Sequence, residues 1–150
     1  MVNICVMSNG EAVLKFSIAK SGDWVDMKAA IASHETDSVV QVEKENGKWK
    51  IGDVDNESRI LAAVSVYYMR LIEYVAKLLA AQLNATESLP RFNKPIPVVV
   101  SGGTSLADGF VDCFKETLSK FEFPFKIKEV RHAKDPLRAV ARGCLIASSI

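Results

Sequence analysis

The sequence predicts a single α/β domain, residues 1–150, with a mixed sheet built from an N-terminal antiparallel hairpin and two parallel βα units, flanked by helices. Three observations predict it. Two alternating apolar runs meet at Ser8-Asn9-Gly10. One long helical apolar pattern fills the middle of the chain, from Ile60 to Leu83. Beyond it, the β-branched run Pro97–Val100 breaks at Gly102-Gly103 and enters helical spacing, and one more alternating run precedes a last capped helix.

Taken in order, Val2, Ile4 and Val6 alternate with Asn3, Cys5 and Met7, and Val13, Leu14, Phe16 and Ile18 form the return strand. Asn9 and Gly10 tolerate the positive φ that a two-residue hairpin turn requires. Ser21–Asp26 closes the strand and starts a short helix, Val25 to about Ser33, with Asp23 a residue of capping type. The spacing of Val39, Val42 and Asn46 permits one or two amphipathic turns. Asn46-Gly47 then turns the chain into an expected short strand, Lys48 to Ile51.

Cap-type residues at Asp55–Ser58 open the longest pattern: Ile60, Leu61, Val64, Tyr67, Tyr68, Leu71, Ile72, Val75, Leu78, Leu79 and Leu83, ending near Asn84. Such a helix is about 40 Å long and crosses the back of the sheet. Tyr67 and Tyr68 lie inside its apolar stripe, so they read as core and not as a stacking platform. Pro90, Pro95 and Pro97 mark a loop that delivers the chain to the next strand.

At Gly102-Gly103 the backbone can turn tightly and lie against a flat or charged ligand with no Cβ in the way. Thr104 or Ser105 caps the following helix, whose apolar positions are Leu106, Phe110, Phe114 and Leu118, leaving free amides above the strand. An ordinary βα turn would account for a Gly-Gly pair taken alone. Phe123 to Val130 alternates as the last strand, and Asp135-Pro136 opens the last helix. Its inner face is expected at Leu137, Val140, Ala141, Cys144 and Leu145, while Ala139, Gly143 and Ala147 permit close packing.

Composition excludes several classes of function. Nineteen Lys and Arg balance 18 Asp and Glu, so no net field favours nucleic acid or an anionic membrane. No apolar run approaches the roughly 20 residues of a membrane span, and no secretory signal opens the chain, which reads as cytosolic. Cys5, Cys113 and Cys144 are odd in number, far apart and set among apolar neighbours, so they are expected as buried, reduced thiols. With only His34 and His132 beside them, no structural zinc site is expected.

The string Ser101-Gly102-Gly103-Thr104-Ser105, with Gly109 six residues beyond Gly103, closely resembles the adenosine-binding motif of the actin, Hsp70 and sugar-kinase superfamily. The resemblance implies a ribonuclease-H-like lobe in which Gly102, Gly103, Thr104, Ser105 and Leu106 line the adenosine of ATP or ADP, bound with Mg²⁺. Gly22-Asp23-Trp24-Val25-Asp26 is similar to a Gly-Asp-x-x-Asp stretch that follows such a hairpin in bacterial shape-determining and plasmid-segregating filament proteins. It makes Gly22 and Asp23 binding candidates, although a glycine ending a strand and an aspartate capping a helix account for the same residues. Lys44-Glu45 resembles a Lys-Glu pair that borders the adenine in those proteins, and reads equally as part of the solvated cluster Glu43-Lys44-Glu45. Asp135 to Cys144 resembles the superfamily's second connecting helix, whose Ala-x-Gly pattern, here Ala141-Arg142-Gly143, lets two lobes hinge. The small insert before the long helix points toward a compact actin-like relative and away from an Hsp70-type chaperone.

By the same resemblance, the first lobe is not encoded here, and with it the phosphate loop on an Asp-x-Gly-x-x-Thr strand and the acidic residues that hold Mg²⁺. A chain that opens inside a strand also reads as a fragment. The expectation is therefore the C-terminal lobe of a two-lobed ATPase, partnered by its N-terminal lobe and, in filaments, by copies of itself. No catalytic or metal-ligating residue is assigned. Phosphoryl transfer depends on positioning and metal electrostatics, so the isolated chain should hydrolyse ATP negligibly. Two other functions fit: a structural or filament-forming module of the same fold without nucleotide, and a lobe of a sugar or acetate kinase.

Overall fold

A computed structural model of the chain describes residues 1–148. Strands β1 (Val2–Ser8) and β2 (Glu11–Ile18) form the antiparallel hairpin, with Ile4 opposite Phe16 and Val6 opposite Leu14. Asn9 and Gly10 at its tip have φ of 52° and 84°, the left-handed pair that lets the turn follow the strand twist. Val2, Ile4, Val6, Leu14 and Phe16 lean on the core, while Asn3, Cys5 and Met7 face solvent.

Helix α1 (Gly22–Ser33) begins three residues earlier than its spacing predicts and buries Val25, Ala29 and Ala30. Helix α2 (Asp37–Asn46) is capped by Thr36, whose hydroxyl accepts from the Val39 amide. Helix α3 (Arg59–Ala85) follows the cap Ser58, which accepts from the Leu61 amide, and carries the centre of the core on Val64, Tyr68, Leu71, Ile72 and Ala76. Small Ala29, Ala30 and Ala76 are fully or almost fully buried, and α1 lies along α3.

The second sheet pairs β3 (Ile96–Val100) with β4 (Ile127–His132) in parallel, aligning Val98 with Val130 and Val100 with His132. Helix α4 (Phe110–Leu118) connects them and buries Phe114 and Leu118, and helix α5 (Ala139–Ser148) follows β4. The α/β class, with an antiparallel hairpin and a parallel pair flanked by helices, agrees with the sequence reading. Among the described residues the hydrogen-bonded ladders are two two-stranded sheets, and both lean on one apolar core.

Several local expectations are corrected. Lys48 to Ile51 is not a strand, because its backbone partners lie elsewhere. The buried Ser65 hydroxyl donates to the Lys50 carbonyl and accepts from Gly52 N, Ile51 N donates to the Asp108 carbonyl, and the Trp49 indole donates to the Lys44 carbonyl. On α2 the buried residue is Val40, whereas Val39 and Val42 face outward. The last strand starts at Ile127 instead of Phe123, since Pro124 interrupts the lead-in and Phe125 packs edge-on to Phe92.

The helix after the glycine pair is likewise divided. A single 3₁₀ turn, Gly103–Leu106, precedes a break, and α4 starts only after Gly109 (φ 80°). Ser105 is buried instead of capping a helix, and Leu106 is exposed. The expected inner face of α5 is not inner: its described residues are all solvent-facing except half-buried Ala139, although Asp135 does cap the approach by accepting from the Arg138 amide. Cys5 and Cys144 are exposed and Cys113 half-buried, all three as free thiols, so burial was the wrong expectation.

Candidate functional site

The chain leaves β3 at Val100 and bends at Gly102, whose φ of 94° is open to glycine at little cost. The 3₁₀ turn Gly103–Leu106 stands at the carboxyl ends of β3 and β4. A Cβ added at Gly102 or Gly103 would meet no atom of this chain within 4 Å. Internal packing therefore gives no reason for either glycine, and the face they present is open.

The turn is tied down from two sides. Ser105 is 2% exposed, and its amide and hydroxyl both donate to the Gly102 carbonyl, at 3.0 and 2.8 Å. From the segment after β4, the Pro136 carbonyl accepts from Gly102 N at 2.9 Å and from Ser101 Oγ at 2.7 Å. His132 Nε2 lies 2.6 Å from the Ser105 carbonyl, which can only accept, so Nε2 carries the proton.

The start of α1 meets this turn. A Cβ at Gly22 would stand 2.8 Å from Thr104 Oγ1, so the absence of a side chain at Gly22 is what lets Thr104 pack there. Asp23, the next residue, is exposed in the first turn of α1. Of the sequence candidates, Gly22 thus meets the turn Gly102–Leu106 at Thr104, and Asp23 follows it on the exposed start of α1. Lys44 is engaged elsewhere: its ammonium sits 2.6 and 2.7 Å from the two carboxylate oxygens of buried Asp26, bridging α1 and α2. Glu45 faces solvent.

Beside the turn lies an open hollow of about 410 Å³ bordered by Leu106, Asp108, Phe110, Val130, Arg131 and His132. Among the described residues no group of three or more His, Cys, Asp or Glu is placed to hold a metal ion. Nor is any described helix long and apolar enough to cross a membrane. Burial and then the charge of Asp26 push the Tyr68 phenol up to about 12, and burial raises the Cys113 thiol.

The sequence reading gives neither His132 nor Pro136 a place in the site. The signal for His132 was the period of two: it lies on the same face of β4 as buried Val130, two residues on. Pro136 acts through its main-chain carbonyl, which leaves no trace in side-chain pattern.

No curated protein matches the chain. Among solved structures, the crystal structure of the ethanolamine utilization protein EutJ from Carboxydothermus hydrogenoformans is similar, with 21% sequence identity and a TM-score of 0.60. The similarity covers 91% of this chain and 41% of that one, so the chain spans less than half of the protein it resembles. At that identity the likeness is one of fold, and it agrees with an actin-like lobe fold. A family model for Volactin matches residues 1–148, from the first strand of the hairpin through α5, and on that match the chain belongs to the Volactin family.

Proposed function

We propose that this chain is an ATP- or ADP-binding C-terminal lobe of an actin-like ATPase, supplying the wall against which the adenosine rests. The observation that carries the reading is the glycine turn, which stands at the carboxyl ends of two parallel strands with open space where a side chain at Gly102 or Gly103 would lie. Ligands of open α/β sheets sit at such strand ends, and a flat adenosine needs backbone without Cβ. Gly102 to Leu106 form the wall, Gly22 borders it through Thr104, and Asp23 stands next to Gly22 on the exposed start of α1. Lys44 and Glu45 lie on α2, with the Lys44 ammonium held on Asp26, and are not part of this wall.

Mg²⁺ would arrive on the nucleotide phosphates, since the described residues offer no acidic cluster for it. The chain holds one wall and not the chemistry, so hydrolysis requires an N-terminal lobe. The small insert between α1 and α3, the 10-residue α2 and the connection 47–58, supports a compact subtype akin to shape-determining and plasmid-segregating filament proteins. The setting is cytoplasmic in this reading. A second reading, an interaction or filament module, draws on α5, where Val140 is 76% exposed.

The test is Gly103→Val, read by calorimetric titration with MgADP and by thermal midpoint. Gly103 has no positive φ and open space before it, so the variant should fold with its midpoint within about 2 °C of wild type. Its affinity should fall by about tenfold or more. Wild-type affinity in a folded Gly103→Val protein would remove the adenosine wall.

A further inference from the structure

We propose that His132 is a positioning residue for the glycine turn, holding the backbone of Gly102–Leu106 through the Nε2–H bond to the Ser105 carbonyl. The proposal deepens the nucleotide reading and rests on it for what the turn binds. The holding role stands on the chain's own geometry.

A 3₁₀ turn that stops at Ala107 leaves its last carbonyls without helical partners, and a partly buried carbonyl needs a donor. The Ser105 carbonyl finds one in the imidazole, 2.6 Å away. The remaining polar groups of Ser105 are already committed to Gly102, so His132 closes the set. His132 itself is fixed by the ladder, where it pairs with Val100, and the next residue, Ala133, donates to the Val100 carbonyl at 2.9 Å.

Beyond the strand ladder, four hydrogen bonds among the described residues strap the stretch from Val100 to Ser105 onto the stretch from His132 to Pro136. On the His132–Pro136 side, three of them use main-chain groups that any residue supplies. From that side only the fourth depends on a particular side chain, and on the turn side one bond comes from the Ser101 hydroxyl. The same imidazole borders the hollow beside Leu106, so it joins the turn's support to the open face on which a ligand would lie.

The experiment compares wild type, His132→Leu and His132→Gln by nuclear magnetic resonance of the ligand-free chain. Leucine fills the volume without a donor, whereas the glutamine amide nitrogen can reach the imidazole Nε2 position. Expected for His132→Leu is about tenfold faster hydrogen exchange at the Gly102 and Ser105 amides, with loss of the hydrogen-bonded carbonyl shift of Ser105, both restored in His132→Gln. A role in packing alone would not separate leucine from glutamine in this way. If His132→Leu keeps both signals, or His132→Gln loses both, the proposal is overturned.

MgADP titration then separates the two claims. Binding by wild type and about tenfold weaker binding by His132→Leu supports both. Equal affinity in the two proteins overturns the positioning role. No binding by wild type, beside a loosened turn in His132→Leu, removes the nucleotide reading and leaves His132 holding the turn.

Discussion

At Gly22 the missing side chain is a packing requirement that can be measured without any ligand. An alanine methyl would stand 2.8 Å from Thr104 Oγ1 and force that side chain to another rotamer, at about 1–2 kcal/mol. Thr104→Ala should remove the clash, so the double variant should be about 1 kcal/mol more stable than additivity predicts. Additive denaturation free energies would show that Gly22 and Thr104 do not touch. Tyr68 offers a second test through pH. Its folded pKa of about 12 exceeds the usual value near 10, so its contribution is complete below pH 10 and is lost as pH rises through 12. About 2–3 kcal/mol is at stake, and Tyr68→Phe should flatten that alkaline arm. Parallel stability curves for the two proteins would contradict a suppressed ionisation. Which residues could be read in advance follows from the same physics. The Gly102-Gly103 pair is visible because a special backbone needs a special residue. The Gly22–Thr104 contact joins positions 82 apart in the chain, and no local pattern encodes it.

Among the elements, α3 was the most legible, because a long apolar stripe at helical spacing has no competing solution. Residues 48–51 and the helix after the glycine pair were not, and for one reason. Lys50 and Gly52 pair with Ser65 on α3, and Ile51 N pairs with the Asp108 carbonyl in the break before α4, so partners from distant chain override local propensity in both segments. Gly109 shows the consequence. Expected inside a helix, it has a left-handed φ of 80° and lies against the Lys50 side chain, so Gly109→Ala should cost stability where a helical glycine would gain it. The α1–α2 contact rests on Asp26 and Lys44, whose side chains are 10% and 17% exposed. Asp26→Ala strands the ammonium beside the core and should cost about 1–3 kcal/mol, less than a fully buried pair because water still reaches it. Asp26→Ala with Lys44→Met should recover most of that loss. A single variant as stable as wild type in chemical denaturation would mean the pair does not join the helices.

For the whole molecule, the order of elements and the α/β class were readable because each apolar period points to the same layered arrangement. The exposure of α5 was not, since an apolar helix pattern tells which face is buried only when something covers it. What the molecule presents is a core of α1, α3 and α4 under two small sheets, and at the carboxyl ends of one sheet a glycine turn with an open face. The central claim is that adenosine rests on that face. Its most direct test is a backbone-amide nuclear magnetic resonance titration of the chain with MgADP. The account predicts that the shifts concentrate at Gly102–Leu106, Gly22–Asp23 and His132. Saturable shifts confined to other surfaces, such as Val39 and Val42 on α2, or an unchanged spectrum at millimolar nucleotide, would contradict it.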